Sequence, residues 1–253
     1  LNDAHKTPQF WLLWWVLCLN VSAGIGVLGM ASPLLQEIFG GRLLGLDIPF
    51  TALDASQKQT VASIGAGFAG LLSLFNIAGR LGWASLSDAL GRKATFMVFF
   101  VTGIILYSLA PTIASLGSVA LFVTTFCVIV SLYGGGFATI PAYLADCFGT
   151  NYVGAIHGRL LTAWSAAGIL GPVLVNYLRE FQLGLGGAPA EAYHFTMYAL
   201  AGLLGAGLLC NAAVRPVAER FFMPPPEQES PLTTPEHDDY AEESEAEARA
   251  EGV

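Results

Sequence analysis

Charge in this chain falls in short clusters separated by long apolar runs. Residues 7–36 hold no Asp, Glu, Lys or Arg, and neither do residues 59–79, 94–145, 160–178 or 192–214. The runs are continuous; they do not alternate apolar with polar over about ten residues, as barrel strands do. A helix rises about 1.5 Å per residue, and a bilayer core of about 30 Å takes about 20 apolar residues. The 94–145 run has 52 residues. As one helix it would reach about 78 Å, so it must fold back. The Pro, Ser and Gly of APTIASLGS, residues 110–118, suit that turn. The pattern predicts an all-α integral membrane protein, a six-transmembrane-helix bundle. Its spans lie at about 9–38, 59–86, 94–112, 118–145, 157–178 and 192–214.

Local signals refine the ends. Pro8 suits a first helical turn, and Trp11, Trp14 and Trp15 suit an interfacial belt. Six crossings put both ends on one side. With the termini inside, the inner segments hold Lys6, Arg92, Lys93, Arg159, Arg215 and Arg220, against Arg42, Lys58 and Arg179 outside. This excess of bases predicts cytosolic termini in a cell (inner or plasma) membrane.

Composition agrees: 54% of residues are apolar and 12% charged, about half the charge of a soluble domain. The net charge of −8 comes from residues 224–253, PPPEQESPLTTPEHDDYAEESEAEARAEGV, which hold ten of the nineteen acids. That stretch has almost nothing to bury and reads as a disordered acidic cytosolic tail beyond the membrane domain, residues 1–223. Cys18, Cys127, Cys147 and Cys210 show no ligand spacing and read as packing residues. No cofactor, metal or nucleic-acid site is expected. Spans one to five contain no mid-depth His and no mid-depth acid, which argues against a membrane-embedded enzyme.

Two groups of residues stand out of place. Asp88, Gly91, Arg92 and Lys93 lie where span two meets the surface and span three begins. They read either as basic anchoring or as a hinge clasp, whose ion pairs break and remake during a rocking motion. Asp146 and Arg159 flank the next turn on the same side and suggest a second pair. Arg80 sits eight residues before Asp88, inside the apolar region. It either snorkels to the surface or faces an aqueous cavity, where an organic anion would neutralise it. Asn76 and Ser73 share its face, at four and seven residues before it. Asn20 and Ser22 in span one, and Tyr133, Trp164 and Ser165 in spans four and five, are polar or amphipathic at mid-depth. Gly24, Gly26 and Gly29, Gly134–Gly136 with Pro141, and Gly168, Gly171 and Pro172 suit close helix contact and bending.

ASLSDALGRK resembles the loop signature of the major facilitator superfamily, G-x-L-x-D-R-x-G-R-K, with Ala84 for the first Gly and Ala89 for a base. KTPQFWLLWW, LNVSAGIGVLGMASPLLQE, FNIAGRLGW, YGGGFATIPAYLADCFG and GRLLTAWSAAGILGP together resemble its oxalate/formate antiporter family, over residues 6–215. The resemblance implies helices 7 to 12 of a twelve-helix transporter, its carboxyl half, partnered by an N-terminal six-helix half and by membrane lipid. The chain opens on Leu1, in keeping with a piece of a longer protein. In that family an Arg on this helix and a Lys on helix 11 are associated with dicarboxylates. Arg80 matches the first, and LLTAWSAAGILGPVL has no Lys. The implied cargo is a small organic anion, a monocarboxylate such as formate, lactate or pyruvate, or oxalate, carried by alternating access. The alternative is a transport-inactive sensor or scaffold acting through the acidic tail.

Overall fold

The computed structural model describes residues 4–186, 191–218 and 221–222. The acidic tail lies outside them. Among the described residues seven α-helices follow one another: α1 (Pro8–Leu43), α2 (Ala55–Leu90), α3 (Arg92–Ser115), α4 (Val119–Phe148), α5 (Val153–Leu160), α6 (Thr162–Gly184) and α7 (Ala192–Ala213). With α5 and α6 taken as one 32-residue stretch, six are long and apolar enough to cross a membrane. Among the described residues there is no strand. The base of the bundle is the end where α1 starts and α7 finishes; the crown is the other end.

The caps explain where helices begin. Thr7 is extended and its Oγ1 accepts from Phe10 N–H at 3.3 Å, with Pro8 at the first helical position. Asp54 and Gln57 form a capping box for α2, at 2.8 and 2.9 Å. Because these caps lie in the loops, α1 and α2 each run 36 residues, about 54 Å, well past the expected 9–38 and 59–86. Gly91 alone separates α2 from α3; its φ of +82° favours glycine, so one residue reverses the chain. The turn expected at residues 110–118 is shorter than predicted. Helix α3 continues through Pro111 to Ser115, and Gly117 at φ +71° makes the bend. Packed membrane helices tolerate such a proline because neighbours re-satisfy the freed backbone. Span five has an unpredicted joint at Leu161, where Trp164 N–H reaches the Leu161 carbonyl at 3.0 Å, a tightened turn.

Helix α2 packs on α4, α3 on α7, and α1 on both α6 and α7. Helix α1 is central: 67% of its most apolar stretch is buried, against 22% for α2 and 28% for α5–α6. Tyr107 Oη ties α3 to the Ala23 carbonyl of α1 at 2.9 Å. At the crown Phe39, Phe68, Phe122 and Phe126 interlock. There Arg179 of α6, expected to be a loop base, is a structural tie: it reaches Glu37 of α1 at 2.6 Å and Tyr193 of α7 at 2.8 Å.

Candidate anion site and charged clasp

Two glycines set the position of Arg80. A Cβ at Gly79 would run into the backbone of Ser131, and one at Gly134 into the Asn76 carbonyl. Helices α2 and α4 therefore touch backbone to backbone. One residue on, Arg80 emerges beside α4. Its Nε donates to Asn76 Oδ1 at 3.2 Å, and its guanidinium lies 4.9 Å from the Phe137 ring centroid. Phe137 in turn meets Trp164 of α6 at 5.4 Å. Tyr133, one turn from Phe137 on α4, lies beside Trp164 and within the field of Arg80. Arg80, Phe137 and Trp164 are ten or eleven residues above the base ends of α2, α4 and α5, hence all about 15–16 Å deep. Across three helices they line up as a floor at one level, joined ring to guanidinium and ring to ring. Arg80 is exposed there, and among the described residues no acid pairs with it.

The other polar candidates divide. Asn76, Tyr133 and Trp164 join Arg80. Ser165 is exposed next to Trp164, about 100° round α6. Asn20 is 5% exposed and faces Gly136 where α1 crosses α4; it lines a small cavity with Tyr133, and its Oδ1 has no hydrogen-bond partner among the described residues. Ser22 and Ser73 return their hydroxyls to the Cys18 and Ala69 carbonyls of their own helices. Phe137 was not foreseen. Its signal was its spacing of four from Tyr133, which puts both on one face.

At the base, Arg92 bonds Asp88 and Ser87 and lies 4.0 Å from Asp146. Asp146, which with Arg159 flanks the next turn, thus extends the first cluster across α2, α3 and α4. Arg159 lies in the last turn of α5. Lys93 takes a different role: its Nζ donates to the Ala212 and Val214 carbonyls at 3.0 and 2.6 Å, closing the C-terminus of α7. Asn211, fully buried, accepts from Tyr143 at 3.1 Å and donates to the Lys93 carbonyl at 3.1 Å.

No protein-family model matches the chain. Three curated relatives do. The oxalate:formate antiporter of Oxalobacter formigenes is 34% identical over 170 residues, covering 67% of this chain and 36% of the antiporter. The chain belongs to the major facilitator superfamily. An uncharacterized MFS-type transporter, YhjX, of Escherichia coli (strain K12) is 25% identical over 169 residues, 67% of this chain and 37% of YhjX. Apicoplast pyruvate carrier 1 of Toxoplasma gondii is 27% identical over 173 residues, 67% of this chain and 28% of the carrier. The chain spans about a third of the length of these relatives. They are transporters, and this chain is a multi-pass membrane protein, not an enzyme. In this superfamily member the acid and first base of the loop signature, Asp88 and Arg92, are in contact.

Proposed function

We propose that this chain is the carboxyl half of a secondary transporter and supplies the cationic wall of its central cavity. The cargo is a small organic anion, with monocarboxylates such as formate, lactate or pyruvate favoured over oxalate. The base of the bundle, the side with more bases, faces the cytosol, and both chain ends lie on that side. The observation that carries this reading is Arg80: an exposed guanidinium ten residues inside the base end of the apolar helix α2, unmatched by any acid among the described residues, held by Asn76 and Phe137. A carboxylate offers the two acceptors that a guanidinium fork fits. With one such cation on the wall, a monoanion is neutralised and a dianion is not. The relatives support the class: one is named an oxalate:formate antiporter and another a pyruvate carrier.

In this reading the Asp88–Arg92–Asp146 contacts hold the base shut in one state and separate in the other. The second wall comes from an N-terminal half. Counterflow of labelled formate, lactate, pyruvate and oxalate into vesicles bearing the full-length protein tests the proposal. Exchange of a monocarboxylate, lost on replacing Arg80, is expected. A protein that inserts normally but exchanges none of the four refutes the cargo class and favours a sensor or scaffold.

A further inference from the structure

A cavity of about 540 Å³ opens at the base, on the side of α3 and α7, lined by Leu90, Gly91, Arg92, Lys93, Met97 and Arg215 among others. It is separate from the Arg80 floor. Its α4 wall includes Asp146, nine residues after Phe137, two and a half turns and thus the opposite side of that helix. We propose that this cavity seats the phosphate of an anionic membrane phospholipid.

Charge favours it. The lining holds Arg92, Lys93 and Arg215; Arg92 is matched by Asp88 and Asp146, which leaves Lys93 and Arg215 as the bases for an anion. Arg215 has no acidic partner among the described residues. Lys93 spends two of its three donors on α7 carbonyls, leaving one N–H. Depth favours it too. Gln9 Nε2 bonds the carbonyl of Pro216, a lining residue, at 3.3 Å. That sets the cavity level with Trp11 and Trp15, which are 50% and 45% exposed and mark the headgroup region. Finally, an apolar track leads upward from it. Beyond Ala94 and Met97, α3 exposes Val98, Val101, Ile105 and Leu109 at spacings of three and four. From Ala94 to Leu109 this runs about 22 Å, enough for an acyl chain in one leaflet. A free phosphate would use the bases and leave this track bare. A lipid uses both.

The test is lipid binding to the full-length protein in neutral detergent, followed by native mass spectrometry and thermal unfolding. Probes are phosphatidylglycerol, phosphatidylcholine, diacylglycerol and inorganic phosphate. Phosphatidylglycerol alone should remain bound and raise Tm. Arg215→Gln should weaken it about tenfold and Arg215→Lys restore it. Arg215 lies beyond α7 with no side-chain partner among the described residues, so the variant keeps the fold. Equal binding of phosphatidylcholine, binding of phosphate as tight as that of lipid, or no change in Arg215→Gln would each overturn the proposal.

Discussion

Arg80→Gln is the sharpest test of the anion site. The parent guanidinium is exposed, with Asn76 and Phe137 as its described contacts. Neither neutralises its charge, so a bound carboxylate supplies the first countercharge. Hydrogen bonds between charged groups contribute about 1.5–3 kcal/mol net. A central value of about 2.2 kcal/mol is about 40-fold in affinity. Arg80→Lys keeps the point charge but loses the Asn76 bond, about 1 kcal/mol, and part of the ring contact, about 0.5 kcal/mol, hence roughly tenfold. The order parent, Lys, Gln should appear as rising KM in counterflow by the full-length protein. Thermal stability should not follow, because an exposed side chain with one hydrogen bond to a neutral amide holds little of the fold. If Arg80→Gln exchanges anions with a KM within twofold of the parent, the site is not at Arg80.

Phe137→Leu removes the ring beneath the guanidinium and should raise KM about two- to fivefold in the same assay, at unchanged insertion. Asp88→Asn weakens its contact with Arg92 and should lower the maximal exchange rate while leaving KM nearly unchanged; a KM change alone would argue against a conformational clasp. Gly134→Val puts two methyls against the Asn76 carbonyl, whereas Gly29 faces open space. The first should destabilise by about 1–3 kcal/mol and lower Tm measurably, and Gly29→Ala should not.

The six spans were legible because charge and apolar runs alone fix membrane crossings. Their bounds were less so. The extra turns of α1 and α2 depend on the caps at Thr7 and Asp54, which lie outside the apolar runs, and Pro111 reads as a breaker only if neighbouring helices are ignored. Arg80 and Asn76 could be paired from their spacing of four. Their seat could not, since it depends on the Gly79–Gly134 contact between distant helices. Asn20 is a second such case. Its position in span one suggested a cavity residue, and it lines a small cavity with Tyr133, but its contact with Gly136 depends on where α1 crosses α4, which no residue near it reveals. The Glu37–Arg179 pair joins residues 142 apart in sequence and has no local signature.

Arg80 on an exposed face has two possible surroundings, lipid or water. An Arg at the bilayer centre costs about 2.5–3.5 kcal/mol on insertion scales, so lipid is the dearer choice. Its neighbours argue likewise. The floor of Arg80, Phe137 and Trp164 spans three helices, and α2 and α5–α6, which carry two of those residues, are the least buried spans. The exposed stripe of α3, by contrast, is wholly apolar at Val98, Val101, Ile105 and Leu109, as a lipid-facing surface should be. Cysteine labelling separates the two environments. In the full-length protein, cysteine replacing Ser165, beside Trp164, should react with a charged, water-soluble thiol reagent, and formate or pyruvate should slow that reaction. Cysteine replacing Leu109 should stay unreactive, because a thiol in hydrocarbon neither ionises nor meets the reagent. Both replacements are compared in a background whose four native cysteines are removed. If the Ser165 position labels no faster than the Leu109 position, the face bearing Arg80 is not in water, and its guanidinium must then find phosphate at the surface rather than cargo at the centre.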